Sequence, residues 1–280
     1  MLMSTQANRY AHQLLDARAH AELIACLSQS ENLSIADGYD IAKAIVDIRI
    51  AEGEMPVGRK IGFTNSKIAS HYGQRAPISE PIWSHIFDTT VRYSQDNHGV
   101  QSLKGAMQPR IAPEIVFMLG KTPPANATLE NIADCIEWIA HGFELVACPF
   151  KNWKFEAVDA IAAFGLHGTL ILGEPHMLSS ATRRHLIEIL PDASMSLTVN
   201  EGGEVSLQSA GFGSDVLGSP VHALWHLHQL LKTQPQFAPL AAGELVATGT
   251  LTDAYPIKAG QTWATAFSGV TLPGLTVSFV

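Results

Sequence analysis

The chain is poor in cysteine and holds no cluster of basic residues. Cys26, Cys135 and Cys148 are its only cysteines. An odd, scattered set makes neither a disulfide framework nor a zinc pattern, so reduced thiols in a cytoplasmic setting are expected. No run reaches the roughly 20 apolar residues of a membrane helix, and no membrane partner is expected. The opening residues, Met1 to Gln6, carry no apolar core of an export signal, and none is expected. Lys and Arg number 18 against 26 Asp and Glu, for a net charge of −8. Nucleic acid needs cations facing its phosphates, so it is excluded as the main partner. A small anionic substrate must then meet a local cation, either a metal or a focused Lys or Arg. Several catalytic signatures are missing too. His222 and His226 have i, i+4 spacing, but no Glu follows His222, and the zinc-protease pattern is absent. Ser214 and Ser219 lack a nucleophile-elbow context. Gly211-Phe212-Gly213 leads to no phosphate-loop Lys. Neither an internal repeat nor a low-complexity segment interrupts the chain.

What is present fits an ordered globular protein: 46% hydrophobic and 16% charged residues in a chain of 280. Residues 110–148 organise it. Glu114 heads the run Ile115-Val116-Phe117-Met118-Leu119, closed by Gly120, which reads as a buried strand. Glu144 stands in a second such run, Gly142-Phe143-Glu144-Leu145-Val146-Ala147. Between them, residues 129–140 put Ile132, Ile136 and Ile139 on one helical face, with Thr128 as N-cap and Gly142 at the far end. Strand, helix, strand predicts a right-handed parallel crossover, with Glu114 and Glu144 at neighbouring strand ends. A carboxylate at the edge of an apolar layer needs a cation, hydrogen bonds or a raised pKa. Two together favour a hard divalent cation with oxygen ligands. The plainer alternative is a pair of solvated strand-end acids.

The remaining chain reads in order. Residues 4–28 predict a helix with Tyr10, Leu14, Ala17, Ala21 and Ile24 on one stripe. Residues 34–53 predict a second, opened by the capping-box pair Ser34 and Asp37. These helices carry no evident chemistry and form an N-terminal lobe or an oligomer contact. The expected division is a helical lobe over 1–56 and a catalytic domain over 57–280. Residues 57–64 read as a strand carrying Lys60, and 65–72 as a helical turn. Residues 77–87, punctuated by Pro77 and Pro81, read as a loop, either a lid over a site or a segment packed on the core. Further on come a strand at 169–172, a surface helix at 180–190 and a hairpin turning at Gly202-Gly203. Ser219-Pro220 opens a helix to Lys232, and three strands follow. Strands outnumber helices in the second half without βαβ alternation, which gives an α+β fold.

Four motifs in this order resemble the fumarylacetoacetate hydrolase superfamily, in its branch of 2-keto-4-pentenoate hydratases and 4-oxalocrotonate decarboxylases. Arg110-Ile111-x-x-Glu114-Ile115-x-Phe117-x-Leu119 and Phe143-Glu144-Leu145-Val146 resemble its metal-binding strands. Gly58-Arg59-Lys60-Ile61-Gly62 resembles its Lys-Ile-Gly motif, and Gly213-Ser214-Asp215 to Pro220 its loop before a long helix. Gly243 to Thr250 resembles its substrate-carboxylate loop. The resemblance runs from residue 44 to the C-terminus. It implies a mixed β-roll with flanking helices, a homo-oligomer, and Mg²⁺ or Mn²⁺ on Glu114 and Glu144. It also implies a small anionic 2-oxo acid substrate, held by Lys60 and by Thr248, Gly249 and Thr250. The superfamily's hydrolases use a lid histidine with an acidic partner to activate water, which makes His85 the candidate here.

The chain departs from that pattern in four places. Ala112 stands where the branch has the first acid of Glu-x-Glu, and Ala147-Cys148-Pro149 replaces Asp-Ser-Arg. Ala162-Ala163-Phe164 replaces Ala-Asp-Asn, and Glu156 occupies a position that is Lys in the hydrolases. Glu156 and Asp159 are candidate replacements for the missing ligand, or ordinary solvated acids. Three functions follow. The first is a metal-dependent hydratase or lyase of a 2-hydroxydienoate or 2-oxo acid, in aromatic-compound degradation. The second is a hydrolase cutting a C–C bond or lactone in an acylpyruvate-like acid. The third is a non-catalytic small-acid-binding protein on the same fold.

Overall fold

The computed structural model describes residues 3–65 and 80–280. Two helices open it, α1 (Ser4–His20) and α2 (Ile35–Ala51). The α2 start is held by the expected capping box: Ser34 accepts the Asp37 N–H, and Asp37 accepts the Ser34 N–H. Strands β1 (Pro56–Gly62), β2 (Ile82–Phe87), β3 (Val91–Tyr93), β4 (His98–Gln101) and β5 (Arg110–Leu119) follow. Then come α3 (Leu129–Cys135), β6 (Ile136–Val146), α4 (Ala157–Ala162), β7 (His167–Leu172), β8 (His176–Met177) and α5 (Ser180–Ile189). The hairpin β9 (Ser194–Glu201) and β10 (Glu204–Phe212) precedes α6 (Pro220–Lys232). Strands β11 (Leu245–Thr250), β12 (Tyr255–Pro256), β13 (Gln261–Ser268) and β14 (Thr276–Phe279) end the chain.

Among the described residues the larger sheet runs β2-β1-β11-β5-β6-β7-β3, with β12 on β5 and β8 on β6. Its first and last strands, β2 and β3, are joined by only three residues, Asp88 to Thr90. The sheet therefore rolls up until its two ends meet. Ile86 of β2 and Val91 of β3 share one apolar cluster with Val116, Leu170, Leu245 and Ala247, which fills the inside of the roll. A second, larger cluster coats the outside and joins α1, α2 and α6 to the smaller sheet, β10-β9-β13-β14-β4. The expected mixed β-roll with flanking helices is the observed architecture.

Two local expectations change. The helix between the acidic strands is short, because Ile136 begins a strand rather than continuing the helix. Ile136 and Ile139 fit a helical stripe on paper, but β6 is buried on both faces over most of its length, where branched residues suit a strand equally. Consequently β5 and β6 pair antiparallel, not as a parallel crossover. Second, residues 82–87 are no loop. They form β2, paired antiparallel with β1. The earlier part of the proposed lid, Pro77 to Ser79, and most of the proposed helical turn lie outside the described residues.

Candidate functional site

The antiparallel register decides where the two acids go. Ala112 stands opposite Glu144, and Glu114 opposite Gly142. Alternate residues of a strand share a face. Glu114 and Glu144 thus point into the roll, diagonal to one another across two adjacent strands. On β1 the same face carries Lys60, level with Ser84 of β2 and Ala247 of β11. Two strands separate β1 from β6 along the sheet, yet the roll brings the Lys60 ammonium to Glu144. Nζ donates to Glu144 Oε2 at 2.6 Å and to the Gly165 carbonyl at 3.1 Å. All three side chains are buried.

Glu144 has a second partner. His167 Nδ1 lies 2.7 Å from Oε1, and His167 Nε2 lies 3.0 Å from the Thr90 hydroxyl. Burial lowers the His167 pKa despite Glu144, so the ring is neutral. Its Nδ1–H then donates to the carboxylate, and Nε2 faces the Thr90 hydroxyl. Burial by itself would raise Glu144, but Lys60 and the His167 hydrogen bond outweigh it and hold the acid at about 2. Glu114 goes the other way. Burial first, then the charge of Glu144, pushes it well above the usual carboxylate range. The environment thus pushes the two neighbouring carboxyls in opposite directions, Glu144 towards its ionised form and Glu114 towards its neutral one.

A bulge supplies Glu114 with its own partner. Pro113 accepts the Leu251 N–H at 2.9 Å but has no N–H to give β11. The register of β11 slips there, between Ala247 and Thr250. Gly249 turns to a φ of +101°, and its N–H donates to Glu114 Oε2 at 3.0 Å. A side chain at 249 is excluded, because a Cβ would come within 2.1 Å of the Thr64 hydroxyl. Thr64 and Ser84 are buried, and their hydroxyls have no hydrogen-bond partner among the described residues.

A model of the fumarylacetoacetate (FAA) hydrolase C-terminal region matches residues 49–272. The chain belongs to that family. A 2-hydroxyhexa-2,4-dienoate hydratase of Comamonas testosteroni is 27% identical over 273 residues, spanning 96% of this chain and 94% of that protein. A 4-oxalocrotonate decarboxylase of a Pseudomonas species is 24% identical, over 90% of this chain and 91% of its own. The fold matches a solved 4-oxalocrotonate decarboxylase from Pseudomonas putida G7, complexed with magnesium and adipate. The TM-score is 0.86 at 22% identity, over 100% of this chain and 99% of that one.

In this member of the fumarylacetoacetate hydrolase family, three of the residues singled out from sequence meet: Lys60, Glu114 and Glu144. His85 does not join them. It lies on β2 level with Arg59, so alternation turns it to the outside of the roll. There it packs against Trp83, Phe87 and Phe237, and burial, then Arg59, lower its pKa to about 3. A ring so held is a weak base on the wrong face, which removes it as a water activator. In the 248–250 loop, Thr248 donates to the Ile115 carbonyl and Thr250 to the Thr252 carbonyl, so both hydroxyl protons are used within the fold. The Gly249 N–H is taken by Glu114. Asp159 accepts from the Ser28 N–H and hydroxyl and from the Glu156 N–H, capping α4 away from the two acids. No group of three His, Cys, Asp or Glu converges on a common point among the described residues. His167 went unnoticed in sequence. Its only signal is a histidine between Gly165 and Gly168, just before an apolar strand.

Proposed function

We propose that this chain is a hydro-lyase that adds water to a small 2-hydroxydienoate or related 2-oxo acid. The observation that carries the reading is the buried line Lys60–Glu144–His167 facing Glu114. The hydratase and decarboxylase names of its relatives support the reaction class. Glu114 and Glu144 would hold a divalent cation such as Mg²⁺ or Mn²⁺, and they fit one. Two carboxyls converge in a buried site, and Mg²⁺ commonly uses one or two carboxylates and keeps several waters. When bound, it supplies Lewis-acid polarisation of the substrate's 2-oxygen.

The chain's own groups do the rest. Lys60 holds the anionic end of the substrate or the enolate oxygen. Glu144, fixed by Lys60 and His167, stays ionised and orients the attacking water, whose proton ends on the conjugated chain. The hydrolytic alternative loses its base, since His85 faces away. The 1–56 helical lobe, a cytoplasmic setting and a homo-oligomer belong to the same proposal. The three cysteines are free and buried, and no described helix is long and apolar enough to cross a membrane.

The test is turnover of a 2-hydroxydienoate, followed by loss of its ultraviolet absorbance with the product identified by mass spectrometry. An intact open chain plus one water is expected. Activity should vanish on chelation and return with Mg²⁺ or Mn²⁺. Cleaved fragments, or a rate indifferent to chelation, would overturn the reading.

A further inference from the structure

The turn that delivers His167 is backbone of an uncommon kind. Phe164, Gly165 and Leu166 stand at φ values of +59°, +59° and +62°. Two of the three carry side chains that rarely adopt this region. Strain of this sort persists only where surrounding contacts over-determine it. The turn presents both groups that reach the ion pair, the Gly165 carbonyl to Lys60 and the His167 ring to Glu144.

The contacts that hold it come from the N-terminal helices. Arg18 of α1 donates through Nη1 to the His167 carbonyl at 2.6 Å and through Nη2 to the Gly168 carbonyl at 2.9 Å. Its guanidinium carbon lies 4.8 Å from the centre of the Phe164 ring. Arg49 of α2 reaches the same ring at 5.6 Å and the Phe87 ring at 3.8 Å. Glu54 balances the two cations, pairing with Arg49 at 2.6 Å. Arg18 thus grips the turn at its first left-handed residue and just beyond its last. A cavity of about 190 Å³ opens beside it, lined by Leu14, Arg18, Phe164, His167 and Gly168. Arg18 lies outside the residues matched by the family model, 49–272.

We propose that Arg18 is a positioning residue. By clamping the 164–168 backbone it sets the Gly165 carbonyl and the His167 ring, and through them fixes Lys60 and Glu144 in the site. It touches neither substrate nor the reacting atoms. The N-terminal helices thereby become part of the catalytic apparatus. The kinetic half of this inference rests on the function proposed above; the structural half does not.

The experiment uses the full chain with ¹⁵N-labelled histidine, His167→Gln identifying the signal. In the wild type the His167 Nδ1 proton should appear as a downfield, hydrogen-bonded resonance. In Arg18→Ala that resonance should be lost or broadened in a chain that still melts cooperatively. The kcat for the 2-hydroxydienoate should fall about 10- to 100-fold, the size expected of a small misplacement, with KM little changed. Free guanidinium should restore part of kcat, because the substitution enlarges the adjoining cavity. Arg18→Lys keeps the charge but cannot span two carbonyls, and should stay impaired. If Arg18→Ala does not fold, Arg18→Gln is read by the same signals. An unchanged His167 resonance, or wild-type kcat, would overturn the proposal. If the wild type turns over no 2-hydroxydienoate, the functional reading fails while the resonance still decides the role of Arg18.

Discussion

Arg59 and Lys60 are neighbours on one strand, each 3% exposed, and each meets a glutamate. Arg59 points outward, pairs with Glu244 at 3.0 Å and lies 5.3 Å from the Trp83 ring. Lys60 points inward, to Glu144 and the Gly165 carbonyl. Burial and pairing are therefore not what separates them. The outer pair is packed against aromatic rings and faces no second carboxyl, and Arg59 Nε and Nη1 are buried without a hydrogen-bond partner among the described residues. The inner pair faces a second carboxyl, Glu114, which burial and then the charge of Glu144 push well above the usual carboxylate range. A buried ion pair becomes a candidate for chemistry when a third ionisable group adjoins it.

Breaking the inner pair should have the largest effect. Lys60→Met leaves Glu144 buried with only His167, and turnover should fall by about 10²–10³, as for loss of a donor to a developing oxyanion. The same change should cost on the order of 3–5 kcal/mol in urea unfolding, because one buried charge loses its partner. Next, Glu114→Gln should remove the calorimetric heat of Mg²⁺ or Mn²⁺ binding and the proton release that accompanies it, whereas Glu244→Gln should leave both intact. Unaltered cation affinity in Glu114→Gln would defeat the assignment. On the outer face, Arg59→Met should cost about 3 kcal/mol of stability while activity per folded molecule stays near wild type.

The smallest effect concerns His85. Its folded pKa of about 3 lies below the ordinary value of 6.5. The unfolded chain therefore takes up a proton that the folded chain refuses, and stability falls as pH drops from 6.5 towards 3. His85→Phe keeps the ring and removes the titration. At pH 4 the variant should unfold on the order of 2 kcal/mol less readily relative to wild type than at pH 7, a figure discounted for the partial exposure of His85. Turnover should change little.

These contrasts also show what the sequence could reveal. Glu114, Glu144 and Lys60 were legible, because a charged residue inside an apolar, strand-like run needs a partner wherever the run is buried. The meeting of the two acids follows from adjacent strands, but the approach of Lys60 does not, since it depends on a sheet that rolls through two intervening strands. The antiparallel pairing of β5 and β6 was hidden by Ile136 and Ile139, which satisfy helix and strand periodicity alike. His85 was misjudged because two prolines suggested a loop, and the face of a strand residue is set by register, which no single segment contains. His167 needed both the turn at Phe164–Leu166 and the proximity of β7 to β6. The alanine at 112 was legible as a missing acid. The structure adds that it lies directly opposite Glu144.

Gly58 bears on how reliably this arrangement is reached. It pairs with Leu245 of β11, and a Cβ there would sit 2.3 Å from the Leu245 carbonyl oxygen. Only glycine passes that point. A β1 shifted by one residue would bring Val57 or Arg59 to it, and either collides. Such a slip would otherwise be an inviting folding error, since β1 is buried on both faces over most of its length and the sheet could still form. Every side chain would exchange faces, with Arg59 inside the roll and Lys60 among the aromatics. A backbone contact more than 180 residues away in sequence thus acts as a proofreading step, rejecting a chain that has the right sheet and the wrong site.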